Sequence, residues 1–249
     1  MTALDVAHNV ETVRSLVEAA VLRSGRKPGA VALCAVSKFH SAQSVLSAMD
    51  AGLLLFGENR VQEAAAKFSA VNSVCRESGR PVPCLHIIGS LQRNKAKKAV
   101  GCAGCIQSVD RLELLSDIEK HAAASLRQIE VFLEIHTGEE SKAGFKDEKS
   151  LHETLDLAAS GAFPHVEVRG LMTMAPFTGD QSAVHASFSS LRRLRERLNA
   201  EYPTLPISEL SMGMSGDFEA AIEEGSTMVR IGTAIFGERE AGVVHGDGK

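Results

Sequence analysis

A lysine closes the run VALCAVSK. The residues from Val31 to Ser37 are small, apolar or β-branched, and Lys38 follows them. Such a run reads as a strand buried on both faces. An ammonium is strongly hydrated and seldom sits deep without a partner. Lys38 therefore either snorkels out to water or acts as an amine nucleophile, the chemistry open to a lysine that sheds its proton on desolvation. Far downstream, two loops concentrate small polar residues. SMGMSGDFEAAIEEG (211–225) supplies Ser211 and Ser215, with Gly213 and Gly216 freeing the backbone, and VRIGTAIFGER (229–239) supplies Gly232 and Thr233. Hydroxyls, bare backbone N–H groups and a capped helix start suit a phosphate. The plainer reading is ordinary turn and cap chemistry. Arg230, within the second stretch, stands at the end of the last strand-like run. A guanidinium there suits a bidentate clamp on phosphate or a contact with a ring nitrogen, and the plainer reading is a salt bridge to Glu209 or a nearby carboxylate.

These residues need elements to hold them. Apolar positions at Val6, Val10, Val13, Leu16, Val17, Ala20 and Val21 have helical spacing over 5–24, and GRKPGA ends that helix. Strand-like runs then recur at 31–37, 53–57, 85–89, 105–109, 129–136, 166–172, 207–212 and 228–231. Helical patterns such as DRLELLSDIEKHAAASL separate them, with Ser41, Asp110 and Asp147 as expected caps. Strict β/α alternation predicts parallel strands joined by right-handed crossovers. The number of repeats predicts a (β/α)8 TIM barrel, an α/β fold, with an extra N-terminal helix. An open doubly wound sheet is the alternative, but no G-x-G-x-x-G follows an early strand. One domain is expected over 1–240, with a flexible tail at 241–249. In such a barrel, chemistry gathers where the strands end. Those ends carry Lys38, Glu58, Asn59, Thr173, Ser211, Ser215, Arg230, Gly232 and Thr233, among others.

Bulk properties narrow the function classes. The formal charge of -4 argues against a nucleic-acid binder, which needs a basic surface. The local basic runs, 95–98 and LRRLRERL, read as solvated helix faces. No apolar stretch is long enough to span a membrane. The five cysteines, an odd count with no signal-peptide pattern before them, point to reduced thiols and a cytoplasmic address. CAGC (102–105) lacks a second ligand pair for zinc, so no metal is expected.

Together, AVSK (35–38), FGENRVQE (56–63), HIIGSLQRNK (86–95), GLMTMAP (170–176) and SMGMSGDFEAAIEEGSTMVRIGTAIFGER (211–239) resemble the pyridoxal phosphate homeostasis protein family, also called the proline synthase co-transcribed family. The resemblance spans about residues 5–239. It implies the barrel of the alanine racemase N-terminal domain, and a Schiff base between Lys38 and pyridoxal 5′-phosphate. By motif match it implies that Ser211, Ser215, Gly232 and Thr233 hold the phosphate. Arg230 would face the pyridine nitrogen, and Asn59, His86 and Met174 would line the pocket. The chain departs from the common pattern at Leu85, where an aromatic is usual, at FHSAQ after the lysine, and at His136.

The resemblance implies a cofactor-binding protein of vitamin B6 homeostasis. The alternative is a pyridoxal-phosphate-dependent amino-acid racemase, and a cofactor-free Schiff-base aldolase is a further rival. Two-base racemisation needs an acid/base on each face of the α-carbon. The only tyrosine, Tyr202, is expected at the wrong end of the barrel, and the C-terminal domain that supplies the second base in alanine racemase is not expected here. A non-catalytic carrier is therefore expected, as a monomer, with apo enzymes that use the cofactor among its partners.

Overall fold

The computed structural model describes residues 2–137 and 143–238. The expected tail at 241–249 lies outside the described residues. Eight strands form one closed parallel barrel: β1 (Ala32–Val36), β2 (Leu55–Glu58), β3 (Cys84–Ile87), β4 (Cys105–Val109), β5 (Ile129–Glu134), β6 (Val166–Met172), β7 (Glu209–Ser211) and β8 (Met228–Ile231). Each pairs with the next in sequence, and β8 returns to β1 with Ala32 opposite Met228 and Ala35 opposite Ile231. This is the expected architecture.

Around the barrel run α1 (Ala3–Arg23), α2 (Ala42–Asp50), α3 (Val61–Ser78), α4 (Ala96–Cys102), α5 (Leu112–Ala124), α6 (Glu148–Ala159), α7 (Gln181–Glu201), α8 (Phe218–Glu223) and α9 (Thr233–Phe236). The extra helix α1 starts at a capping box: Thr2 Oγ1 accepts from the Asp5 amide, and Asp5 accepts from the Thr2 amide. Its valine stripe, with Ala20, is buried against α2, α8 and α9. The helices press apolar faces onto the outer side of the strands, as where Phe68 of α3 meets Phe56 of β2 with ring centroids 5.9 Å apart.

Element boundaries differ from the sequence reading where local hydrogen bonds intervene. β2 begins at Leu55 because the Leu53 amide turns back to the Ala48 carbonyl and finishes α2. β5 ends at Glu134: the Ile135 amide still donates to Met172 of β6, but the Glu134 carbonyl and the His136 amide bond to Phe145, which bridges Ile135. Ser41 and Asp147 cap α2 and α6 as expected. Asp110 does not cap α5. The cap position is Arg111, and the Asp110 carboxylate is taken by the Arg111 guanidinium. The basic faces of α7 are ion-paired at the surface, Arg192 with Glu196 and Arg197 with Glu148. Among the described residues, no helix is long and apolar enough to cross a membrane.

Candidate functional site

Lys38 follows the end of β1, and residues on either side of it are tied down. The Ser37 hydroxyl donates to Glu58 Oε1 at 2.6 Å. Lys67, on α3, donates to the Ser37 carbonyl, to Glu58 and to Glu63, and the Phe39 amide donates to Glu63 Oε1 at 2.8 Å. Phe39 holds φ 66, a left-handed conformation rare outside glycine. This loop shape follows from the alternation of β1. Ser37 faces outward toward α3, so Lys38 faces the barrel mouth.

A cavity of about 330 Å³ opens at that mouth. Lys38, Phe39 and His40 form one side, Asn59 and Ile88 the next, and Met174 another. Met214, Ser215 and Gly216 enter from the loop after β7, and Gly232 and Thr233 from the loop after β8, with Arg230 at the floor. Seven of the nine expected site residues thus line one space. Two glycines shape it. Gly213 has φ +96, and a Cβ there would sit 2.6 Å from the Ala221 Cβ. A Cβ at Gly232 would reach within 3.0 Å of the Val36 carbonyl oxygen, so this loop closes tightly onto β1.

Arg230 is 4% exposed. One of its terminal nitrogens donates to the carbonyl and the hydroxyl of Ser211, each at 2.7 Å, and the other to the Thr173 carbonyl at 2.8 Å. Burial pulls its pKa below the usual guanidinium range. The expected alternative, a pair with Glu209, is not formed, since Glu209 accepts from Thr227.

Of the expected site residues, His86 and Ser211 stand outside the cavity lining. Both are buried in the barrel interior, where Gln107 lies between them, bonded to each. The Ser211 hydroxyl is engaged there and is not presented to the mouth. Burial drops the His86 imidazole to about 4, so it is neutral. Nearby on β5, burial and then the Asp110 charge raise the Glu134 carboxyl to about 7, against the opposing pull of Arg230. Tyr202 lies between α6 and α7, donating to Asp156, and is not part of the cavity.

The sequence reading passed over Lys67 and Gln107. Each had a signal: Lys67 falls on the apolar stripe Ala64, Phe68, Val71 and Cys75 of α3, and Gln107 interrupts the buried run of β4.

The donors at the mouth fit a phosphorylated aldehyde cofactor. Ser215 and Thr233 present exposed hydroxyls, and α9, like any helix start, leaves its first amides without intrahelical acceptors. Gly232 keeps that edge free of side chain, and Lys38, at the end of the neighbouring strand β1, lines the same cavity.

Residues 5–240 match the family model for the alanine racemase N-terminal domain. The chain is 38% identical over 241 residues to the pyridoxal phosphate homeostasis protein of Aquifex aeolicus, covering 95% of this chain and all of that one. It is 39% identical over 242 residues to the protein of the same name in Escherichia coli K12, covering 95% and 97%. The structure of PipY from Synechococcus elongatus with pyridoxal phosphate bound superposes with a TM-score of 0.81 at 34% identity, over 93% of this chain and 100% of that one. Alanine racemase from Bacillus anthracis shares the fold, with a TM-score of 0.68 at 17% identity, over 97% of this chain and 57% of the racemase. The chain therefore belongs to the pyridoxal phosphate homeostasis protein family, on the barrel of the alanine racemase N-terminal domain.

Proposed function

We propose that this protein binds pyridoxal 5′-phosphate at the barrel mouth, joined covalently to Lys38, and takes up, buffers and releases the cofactor as part of vitamin B6 homeostasis. One observation carries the reading: a lysine amine, hydroxyls from two loops and a buried guanidinium converge on one cavity. The names of the relatives and the bound ligand of PipY support it. When bound, the cofactor supplies an aldehyde to which the Lys38 amine adds, so that a C=N bond replaces C=O and water leaves. Ser215, Thr233 and the amide edge at Gly232 receive the phosphate through charge-assisted hydrogen bonds. Asn59 and Met174 would bound the ring, and Arg230 would face its nitrogen.

An arginine only donates, so it disfavours a protonated ring nitrogen and keeps the ring a weak electron sink. On the far side of the cavity no tyrosine stands among the lining residues. Tyr202 is engaged with Asp156, and neutral His86 is engaged with Gln107. These features favour a carrier over a racemase. On this reading the recipients are apo enzymes that need the cofactor, the working form is a monomer, and the compartment is the cytoplasm.

The test has two arms. Borohydride reduction of the loaded protein, followed by peptide mapping, is expected to label Lys38, and a label on another lysine instead would overturn the assignment. Incubation with amino acids in D₂O, followed by NMR, is expected to show α-proton exchange near the rate with free cofactor. Exchange at about 1 s⁻¹ or above, abolished in Lys38→Ala, would replace the carrier with a racemase.

A further inference from the structure

A line of hydrogen bonds crosses the barrel interior beneath the cavity. His86 Nδ1 lies 2.7 Å from Gln107 Nε2, and that same nitrogen lies 3.1 Å from the Met228 sulfur. The Ser211 hydroxyl meets Gln107 Oε1 at 2.6 Å, and Arg230 meets the Ser211 hydroxyl at 2.7 Å. Four strands contribute: β3, β4, β7 and β8. The exposures are 4% for His86, 0% for Gln107 and Ser211, and 4% for Arg230.

The bonds in this line run in one direction. Arginine only donates, so the Ser211 oxygen accepts from Arg230. The single hydroxyl proton of Ser211 is donated to the Gln107 carbonyl oxygen. From the other side, a thioether only accepts, so the Gln107 atom against Met228 must be the amide nitrogen. The Met228 end sets the amide orientation, and the bond from the Ser211 hydroxyl agrees with it. His86 Nδ1 therefore accepts, and the ring carries its proton on Nε2. Its depressed pKa agrees, since an imidazolium would have no lone pair to offer.

The surroundings make this arrangement costly unless it serves orientation. Cys34, Cys105, Phe132, Met172 and Met228 form an apolar, sulfur-rich cluster in the same interior. An apolar residue would fill the Gln107 position without desolvating an amide. A fully satisfied buried network rigidifies and specifies one arrangement of its members.

We propose that Gln107 is a positioning residue for Arg230, and that the one-way line His86–Gln107–Ser211–Arg230 holds the guanidinium in a single orientation toward the cofactor ring. The role toward the ring rests on the cofactor reading above, whereas the hydrogen-bond line does not.

The experiment therefore has an arm without cofactor. Imidazole ¹⁵N NMR of the cofactor-free protein is expected to show His86 neutral, with its proton on Nε2. In Gln107→Glu, measured at a pH where the new carboxyl is ionised, a carboxylate faces Nδ1 and can only accept, so His86 must donate from Nδ1, and its pKa is expected to rise. An unchanged tautomer and pKa in that variant would overturn the line itself. In the second arm, pyridoxal phosphate affinity and the pH profile of its bound absorbance are measured for Gln107→Leu, Ser211→Ala and Ser211→Thr. Affinity is expected to fall about tenfold in Gln107→Leu and Ser211→Ala, the effect of loosening one hydrogen bond to a charged group. Ser211→Thr, which keeps the hydroxyl, is expected to restore it. A folded Gln107→Leu protein with wild-type affinity and pH profile would overturn the positioning role. If Gln107→Leu does not fold, equal affinities for Ser211→Ala and Ser211→Thr would overturn it instead. A wild-type protein that binds no pyridoxal phosphate would overturn the cofactor reading, and the ring-facing role with it, while the tautomer reversal in Gln107→Glu would still register the line.

Discussion

The ammonium nitrogen of Lys67 lies 2.7 Å from the carbonyl oxygen of Ser37, the residue before Lys38, and 2.9 Å from Glu58 Oε1. One buried lysine thus braces the strand end that presents another. The Lys67 and Glu58 side chains are 7% and 0% exposed, so their charges depend on each other. Burial raises the Glu58 pKa, and the Lys67 charge pulls it back. Removing one member leaves the other charge stranded in the interior, which typically costs about 3–5 kcal/mol.

Lys67→Met is accordingly expected to destabilise the fold by about that amount, as read by urea denaturation. It should also loosen the Phe39 turn, because Glu63 loses the partner that steers it toward the Phe39 amide. The double variant Lys67→Met, Glu58→Gln should recover part of the loss, since no unpaired charge remains. A double variant no more stable than the single one would show that packing of the lysine stem, not charge, carries the effect.

Two buried groups give opposite pH dependences. Glu134 is raised to about 7, so between the ordinary carboxylate range and pH 7 the folded state holds the extra proton. Its contribution to stability is full at low pH and is lost as pH rises through 7. His86 is lowered to about 4, so below its ordinary pKa of about 6.5 the unfolded state holds the extra proton. Its contribution is full above about 6.5 and is lost as pH falls through 4. The two slopes oppose each other between about pH 4.5 and 6.5. Glu134→Gln removes one of them, so its stability should fall more steeply on acidification than that of the wild type, by an amount on the order of 3 kcal/mol across this window. Parallel curves for the two proteins in denaturant titrations at several pH values would contradict this.

Gly213 is expected to tolerate no side chain. Its φ of +96 disfavours any L residue, and the added Cβ would lie 2.6 Å from that of Ala221. Gly213→Ala should cost at least about 2 kcal/mol, the sum of backbone strain and a clash in a packed interior. Thermal melting measures it, and a melting temperature equal to that of the wild type would show that the loop after β7 can relax.

At the phosphate end, Thr233→Ala and Ser215→Ala should each weaken pyridoxal phosphate binding by roughly tenfold to a hundredfold, since a hydrogen bond to a charged group is worth about 1.5–3 kcal/mol. Neither should change affinity for unphosphorylated pyridoxal, which should bind the wild type at least about a hundredfold more weakly than its phosphate. Fluorescence or absorbance titration with both ligands decides it. Equal losses for the two ligands would move these hydroxyls from the phosphate to the ring.

The barrel was legible in the chain because each repeat announces itself locally. Apolar runs alternate with helical stripes, and strand number and handedness follow from that order. The two ends of the site were legible for a related reason. Lys38 closes an apolar strand, and the Ser-Gly loops follow the last two strands, where the fold gathers its chemistry. What lies between those ends was decided only by tertiary structure. Ser211 reads like Ser215 in the sequence, yet it sits on β7 and points inward to Gln107, while Ser215 reaches the mouth. His86 reads as a pocket residue but is turned into the interior by the pleat of β3, where Gln107 from the neighbouring strand receives it. Lys67 shares the apolar stripe of α3, but only the packing of α3 onto β2 brings it to Glu58 and Ser37. A one-residue step along a strand reverses the face a side chain meets. Hydrogen bonds between strands far apart in sequence depend on barrel closure, which no local pattern records.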